Sequence, residues 1–256
     1  LDLTNVDVVF LEDKGFIFED SSRVRANNSV FRPCDIDLTW GGFDFVDNSS
    51  GIINESLFKN AEVAVDVNSN DAVNIANTQF SNFAIGIQLR SAGGNAYDEG
   101  ITGNTFVNSD VRPEFLDSAG NARNSFFAIK LFYTEVSAVV SQNDFVNQSL
   151  SSNPDFEYHG IYANSSSLVA SNNTFTNMFR AFDLTGKSAS VSFLNNDIEY
   201  SEQSFTDVYP IRITDRNSSP VLVEGNNLDY SQLASNGTNQ EGIYVNRVRN
   251  LIIADN

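Results

Sequence analysis

The sequence predicts an all-β fold, a parallel β-helix (solenoid) of about nine to ten coils, and three observations lead to it. A short motif of Asn, an apolar residue and a second Asn recurs along the chain. The segments between these motifs alternate apolar and polar residues, which is the period of a strand with one buried face. No segment keeps the helical period of 3.6 residues over about ten residues, so helices are not expected.

The recurring motif is clearest in ITGNTFVNS (101–109), VSQNDFVNQ (140–148) and SNNTFTNM (171–178). The Asn that closes the first strand of each copy returns at intervals of 23 to 39 residues. These positions are Asn28, Asn54, Asn77, Asn104, Asn143, Asn173, Asn196, Asn226 and Asn256. Periods in this range indicate solenoids, propellers or arrays. A propeller blade needs four strands, and a sandwich does not repeat its turns so regularly.

Each copy of the motif contains three short strand-like segments. In one copy they are AVNIAN (72–77), TQF (78–80) and AIGIQL (84–89). Three strands per coil would let every strand lie on its equivalent in the next coil, about 4.8 Å away. We expect Asn at the tight turns because it tolerates positive φ, with its side chain bonded to the next coil. The Phe that follows should point inward and stack on the Phe of adjacent coils.

The pattern I-x-G-N-T-F-x-N, seen at 101–108, and G-I-x-L, seen at 86–89, together resemble a known repeat. It is the right-handed parallel β-helix repeat of the pectate-lyase-like superfamily. The resemblance extends from about Ser22 to Asn256 and implies a right-handed solenoid. That superfamily includes polysaccharide lyases, hydrolases, epimerases, phage tailspikes and non-catalytic surface proteins, so the fold does not select one function.

We expect residues 1–256 to form a single β-helix domain that continues beyond both ends. The chain begins at Leu1 without Met and ends in LIIADN (251–256), where other copies of the motif continue. Residues 1–21 predict one further, less regular coil. The long interval between Asn104 and Asn143 predicts an inserted loop at 109–125, and loops projecting from a solenoid often carry function.

Composition excludes several classes of function. Asp and Glu number 33 against 15 Lys and Arg, a net charge of −18, which would repel the phosphates of nucleic acid. The chain has no run of 18 apolar residues, so we expect no membrane span. One Cys (Cys34) and one His (His159) allow no internal disulfide and no zinc-binding spacing. We expect no metal and no cofactor, with Ca²⁺ left open at VNSND (67–71) and FVDNSS (45–50).

The resembled superfamily places substrates along the outer face of the strand that follows the Phe turn. Alternation in IGIQLR (85–90) points Ile85, Ile87 and Leu89 inward and the residues between them outward. The same register predicts an outward column for ligand binding: Gln88, Arg90, Lys130, Tyr162, Asp183, Arg212 and Tyr244, preceded by Asp37 and Asp66. Tyr offers an apolar face with a polar tip, and Lys and Arg bind carboxylate or sulfate, so this wall suits an extended glycan.

Catalysis would require more. A lyase or epimerase acting on a uronic acid needs a group that neutralises the carboxylate and a base beside the sugar C5. The candidates are Lys130, His159, Tyr162 and Arg212. With Tyr158 and Asp183 they resemble the Lys/Tyr/His/Asp arrangement of alginate-acting β-helix enzymes, although EYHG (157–160) replaces their Asp-Pro-His-Glu-type motif.

Two points in the sequence argue against these chemistries. Strict alternation gives His159 the inward phase of Ile161, which predicts a turn or core histidine. A glycoside hydrolase needs two carboxylates close together, and Asp37, Asp66 and Asp183 are not expected on neighbouring coils.

The sequence therefore favours an extracellular or cell-surface bacterial β-helix with a structural, adhesive or glycan-binding role and no catalysis. Its expected partners are a polysaccharide and other domains or subunits of a larger surface assembly. The alternative is a polysaccharide lyase or epimerase acting on a uronic-acid glycan along the wall Lys130–Arg212. A trimeric, tailspike-like shaft is also open, on the hints of an outward Phe132 and the insertion FLDSAGNARNSFF (115–127).

Overall fold

The computed structural model describes residues 1–68, 73–90, 100–109, 115, 123–134, 138–148, 157–186, 190–200, 207–215, 220–229, 239–240 and 242–256. The regular elements in these ranges are all β-strands. Within them, no helix has the length and apolar character needed to cross a membrane.

In chain order the strands are β1 (Asp2–Thr4), β2 (Asp7–Phe10), β3 (Gly15–Phe18), β4 (Arg23–Asn27), β5 (Val30–Pro33), β6 (Gly42–Val46), β7 (Ser50–Asn54), β8 (Leu57–Asn68), β9 (Val73–Ala76), β10 (Gln79–Arg90), β11 (Ile101–Thr102), β12 (Thr105–Asn108), β13 (Ser125–Phe132), β14 (Ala138–Ser141), β15 (Asp144–Asn147), β16 (Glu157–Asn164), β17 (Leu168–Ser171), β18 (Thr174–Thr176), β19 (Arg180–Thr185), β20 (Val191–Leu194), β21 (Asp197–Glu199), β22 (Asp207–Val208), β23 (Ile211–Thr214), β24 (Val221–Glu224), β25 (Asn227–Asp229), β26 (Asn239–Gln240), β27 (Ile243–Asn246) and β28 (Leu251–Ala254).

The first sheet stacks strands that are far apart in the chain. In the described ranges it has ten strands, in the spatial order β1-β4-β7-β9-β11-β14-β17-β20-β24-β28. Neighbouring strands are parallel and in register, so Arg25 of β4 lies between Asp2 of β1 and Ile52 of β7. Buried and exposed residues alternate along each strand, as in β14, where Val139 is exposed between buried Ala138 and Val140.

The second sheet has two flanks and contains 16 strands in the described ranges. One flank pairs β12 with β15 and β15 with β18, and the other pairs β13, β16, β19 and β23 in turn. Strands β8 and β10, of 12 residues each, run through both flanks. The chain thus passes from the first sheet to one flank, then to the other, and back. This parallel arrangement is consistent with a β-solenoid.

A stack of phenylalanine rings fills the interior beside the first flank. Phe58, Phe80, Phe106, Phe145 and Phe175 occupy matching positions on paired strands. Their successive ring centroids are 5.3, 4.8, 5.0 and 4.5 Å apart, and each ring is at most 1% exposed. Aromatic pairs of this kind contribute about 0.5–1.5 kcal/mol beyond the burial of their area. The repeated Phe therefore stabilises the stacking of one turn on the next.

A column of buried amides runs beside this stack. The Oδ1 of Asn143 accepts hydrogen bonds from both the backbone N and the Nδ2 of Asn104, at 2.9 and 3.0 Å. The same pair of bonds, at 2.8 to 3.0 Å, links each further step of the column, which passes through Asn173, Asn196 and Asn226 to Asn256. Buried amide groups need such partners, so this ladder specifies how the turns align.

The first three predicted ladder positions, Asn28, Asn54 and Asn77, do not belong to this column. Hydroxyl residues take their places in the column. The backbone N of Thr78 donates a hydrogen bond to Asn104 Oδ1. In the same way the N of Ser56 donates to Thr78 Oγ1, and the N of Ser29 donates to Ser56 Oγ. The side chains of Asn28, Asn54 and Asn77 do bond to a neighbouring turn, where they donate to Asn5, Asn27 and Asn54, but they do so outside the buried column.

The predicted positive φ is confirmed at Asn28, with φ of 47°, and at Asn77, with φ of 49°. It is wrong for the ladder positions from Asn104 onward, where the preceding residue adopts it instead, with φ of 58° at Gln142 and 54° at Asn172. The turn needs one residue in the left-handed region, and the next residue can then direct its side chain into the column. One Asn cannot occupy both positions.

Residues 1–21 contain β1, β2 and β3, which pair with β4, β5 and β6. The loop predicted at 109–125 lies mostly outside the described residues. Of its described residues, Phe115 is 3% exposed and meets Phe126 edge-to-face, with ring centroids 6.0 Å apart. Arg123 donates to a carboxylate oxygen of Glu62 at 2.7 Å. These contacts attach the loop to the wall formed by β8 and β13.

Candidate functional site

The second flank of the second sheet presents one row of side chains at paired positions on successive strands. The row consists of Asp44, Asp66, Gln88, Lys130, Tyr162, Asp183, Arg212 and Tyr244. On either side of Gln88, Ile87 and Leu89 are buried. Alternation therefore placed seven of the predicted residues, Asp66 among them, in one row, with Arg90 in the adjacent row beside Phe132.

The N-terminal end of the row differs from the prediction. Strand β6 begins at Gly42, and its Asp44 pairs with Asp66. Asp37 instead lies exposed between β5 and β6, so its placement on the wall was wrong. The alternation in CDIDLTW (34–40) suggested a strand, but the chain forms one only after Gly41. Two carboxylates thus do lie on neighbouring strands, at Asp44 and Asp66. Burial, followed by the charge of Asp66, raises the pKa of Asp44.

Lys130 lies among aromatic rings on this wall. Its Nζ is 4.4 Å from the ring centroid of Phe127, 4.9 Å from that of Phe132 and 6.0 Å from that of Tyr162. Among the described residues, no carboxylate is within ion-pair distance of Lys130. Burial and the nearby Arg123 lower the pKa of Lys130, and burial and Asp183 raise that of Tyr162. The wall therefore presents a cation surrounded by apolar ring faces.

Asp183 is on the predicted row but is only 1% exposed. Arg212 donates to its two oxygens from Nε at 2.8 Å and from Nη2 at 2.6 Å. Arg180 adds a longer bond of 3.4 Å from Nη1. Burial alone would lower the pKa of Arg212, but the hydrogen bond and charge of Asp183 raise it overall. Asp183 is thus a buried counter-ion that positions two arginines, and it is not open to a ligand.

His159 is buried, as predicted, but it does not share the face of Ile161. Between His159 and Ile161 on β16 lies Gly160, which belongs to a row of small residues that also includes Gly86. A Cβ on Gly160 would lie 2.5 Å from the ring of Phe175, so this row points into the core. Because Ile161 on the next row is also in the core, the chain turns a corner there and strict alternation breaks. His159 therefore lies on the outer side, where it approaches Asp183.

Two carboxylates flank the imidazole of His159. Nε2 is 3.2 Å from Glu157 Oε2, and Nδ1 is 3.7 Å from Asp183 Oδ2. The ring stacks on Phe127 with centroids 4.7 Å apart. Burial lowers the pKa of His159, although the hydrogen bond to Glu157 raises it in part. The same hydrogen bond lowers the pKa of Glu157.

Gln88 and Arg90, two further predicted binding residues, are engaged with Asp66. Gln88 Nε2 donates to Asp66 Oδ2 at 3.1 Å, and Arg90 binds both oxygens of the same carboxylate. At the other end, Tyr244 is half-buried, and its ring is 5.2 Å from that of Tyr209. The central part of the row, from Lys130 to Arg212, therefore offers the cations and rings for a ligand.

Sequence reasoning missed Phe127, Glu157 and Arg180. They lie on or beside the row that contains His159, before the corner, where alternation gave no reliable phase. Among the described residues, no three His, Cys, Asp or Glu side chains form a metal-binding group. Most of the calcium candidate at 67–71 lies outside the described residues.

Comparison with known proteins provides no relative: no family model, no curated protein and no solved structure matches this chain.

Proposed function

We propose that this chain is part of a right-handed β-helix of about nine to ten coils that binds an extended glycan along the wall from Lys130 to Arg212. The observation that supports this most is the in-register row of Lys130, Tyr162, Arg212 and Tyr244. Successive positions of the row, in which the buried Asp183 lies between Tyr162 and Arg212, are about 4.8 Å apart, similar to the length of one sugar unit in an extended chain. Aromatic rings would contact sugar faces, and the cations would bind polar or acidic substituents.

The state of the other wall residues favours binding over catalysis. His159 is 4% exposed and Asp183 is 1% exposed, and each already contacts charged neighbours. A general base must reach the proton that it removes. These two candidates are therefore poorly placed to act on a ligand outside the wall, whereas Lys130 and Tyr162 can contact one directly.

The binding test is isothermal titration calorimetry against neutral, uronic-acid and sulfated polysaccharides. We expect saturable binding to at least one of them and a loss of about tenfold or more in affinity for Lys130→Ala and Tyr162→Ala. Lys14→Ala is the matched control because Lys14 is exposed between β2 and β3, away from the wall. Equal affinity in all three variants would show that the wall is not the binding site.

A lyase or epimerase acting on a uronic-acid glycan is the second candidate. It is favoured by the place of Lys130 on the wall, where burial lowers its pKa, which is the direction that a lysine acting as a general base requires. The test follows the absorbance of unsaturated sugar ends, with and without Ca²⁺. A rise that Lys130→Ala abolishes would establish a lyase, and binding without any rise would support the first candidate.

We also propose an extracellular or cell-surface location in a bacterium, within a larger surface assembly of domains or subunits. The resemblance to secreted β-helix repeats supports this. Surface labelling of intact cells that produce the protein tests it, with a cytoplasmic marker as the control. Labelling only after lysis would contradict it.

A further inference from the structure

A shallow groove of about 370 Å³ lies on the outward face of the first sheet, so it is not part of the wall on the second sheet. It crosses strands β1, β4, β7 and β9. Its lining includes Thr4, Arg25, Asn27, Ile52, Asn54 and Asn74. A volume near the lower end of known ligand pockets makes the chemistry of this lining relevant.

Strand β4 supplies Arg25 and Asn27 to this lining, and Arg23 lies on the same strand. Arg23, Arg25 and Asn27 alternate with the buried Val24 and Ala26, so all three point outward. Neither arginine forms an ion pair with any described residue. Two guanidinium groups without ion pairs on one strand face form a local positive site in a chain of net charge −18.

A relay of surface amides ends beside Arg25. Asn77 Nδ2 donates to Asn54 Oδ1 at 3.2 Å, and Asn54 Nδ2 donates to Asn27 Oδ1 at 3.1 Å. The Nδ2 of Asn27 has no partner among the described residues. Linked hydrogen bonds polarise one another, so the relay strengthens Asn27 as a donor. The groove therefore combines a guanidinium that forms no ion pair with a described residue and an amide donor that has no partner among the described residues.

Apolar surface adjoins these donors. Ile52 pairs with Arg25 across β4 and β7 and is 45% exposed. On the other side of Arg25, Asp2 occupies the opposite position on β1. Its carboxylate accepts a hydrogen bond from the hydroxyl of Thr4. A ligand with an oxyanion at one end and an apolar body at the other would satisfy both parts of the lining.

We propose that this groove is a second ligand site, which binds an organic oxyanion through Arg25 and the Asn27 amide, with the apolar part of the ligand against Ile52. A guanidinium fork matches two oxygens of a carboxylate or sulfate group. The site is independent of the glycan wall, since it lies on the other sheet and shares no residue with it.

The test is an NMR titration of the whole chain with sodium benzoate and, separately, with sodium sulfate, against sodium chloride at equal ionic strength. We expect saturable shifts of the Arg25, Asn27 and Ile52 signals with benzoate and weaker binding of sulfate. Arg25→Gln should weaken benzoate binding by about tenfold. Asn27→Asp should abolish it, because this change keeps the oxygen that accepts from Asn54 but replaces the donor with a negative charge. Arg249→Gln, which removes an exposed charge elsewhere, should change the affinity by less than about twofold.

Three results would overturn the proposal. One is shifts that grow linearly with both salts and with chloride. Another is an unchanged affinity in Arg25→Gln whose spectrum shows the native fold. The third is sulfate binding at least as tight as benzoate binding, which would show that the apolar contact with Ile52 does not contribute to affinity. A further variant, Ile52→Ser, should weaken benzoate binding without changing that of sulfate.

Discussion

Arg212 holds the buried carboxylate of Asp183 with two hydrogen bonds, 2.8 Å from Nε and 2.6 Å from Nη2. The two residues are 29 positions apart in the chain and lie side by side on paired strands. The pair joins two successive turns of the outer wall at the point where we propose that a glycan binds. It therefore connects the stability of the wall with its chemistry.

Replacing Arg212 should destabilise the fold. Arg212→Gln would leave Asp183 buried with only the longer bond from Arg180. Breaking a buried pair costs about 3–5 kcal/mol, and we expect the lower end because the Arg212 side chain is 31% exposed. Urea unfolding measures this loss in the free energy of unfolding. Arg247→Gln is the control, because its 3.6 Å pair with Asp215 is exposed and should contribute less than about 1 kcal/mol. Equal losses in the two variants would contradict the prediction.

The ladder and the turn should respond differently to the same substitution at adjacent positions. Asn173→Gly removes the oxygen that accepts from both the N and the Nδ2 of Asn143. The buried Asn143 N then has no partner, which costs about 1–3 kcal/mol, whereas its Nδ2 keeps the carbonyls of Ile101 and Ser141. Asn172→Gly should be nearly neutral, because Asn172 is exposed with φ of 54° and Gly adopts this conformation freely. Thermal unfolding of both variants decides the matter, and a larger loss at position 172 would reverse the roles assigned here.

The aromatic stack should depend on its interior members. Phe145 lies between Phe106 and Phe175, with centroids 5.0 and 4.5 Å away, and is 0% exposed. Phe145→Ala should cost about 3–5 kcal/mol, because it removes a buried ring and leaves a cavity. Phe132→Ala, on the half-exposed wall, should cost much less and should act mainly on ligand binding. Chemical denaturation with a glycan titration separates the two effects, and a small loss for Phe145→Ala would show that the stack can collapse around a gap.

Stability should depend on pH through His159, which is the chain's one histidine. Burial lowers its pKa in the folded state, so the unfolded chain takes up the proton more readily. The stabilising contribution is therefore fully present above the ordinary pKa of about 6.5 and is lost as the pH falls below it. The lowered pKa of Glu157 affects stability in a separate pH range, below the ordinary value of 4.5 for this group.

The measurement for His159 is the urea midpoint at several values from about pH 8 to about pH 5. His159→Gln should flatten the decline below about pH 6.5 whatever its absolute stability. The slope is the quantity of interest, because the variant also changes packing against Phe127. An equally steep decline in wild type and variant would show that His159 does not carry the effect.

Much of the outer row could be predicted because a strand has a period of two and repeated turns maintain the register. From this, Gln88, Lys130, Tyr162 and Arg212 were placed together. The method failed where the period itself breaks. His159 was assigned to the wrong face because the chain turns a corner at Gly160. There two successive residues, Gly160 and Ile161, both face the core.

The sequence by itself determined the strand period, the spacing of the turns and the Phe and Asn positions that repeat from turn to turn. These are local properties, since each follows from the conformational preference and polarity of neighbouring residues. Only the tertiary structure decided that Asp44 replaces Asp37 on the wall, that Asp183 is buried under two arginines and that Lys130 lies among three rings. Those outcomes depend on contacts between residues that are distant in the chain, and such contacts exist only once the turns have stacked.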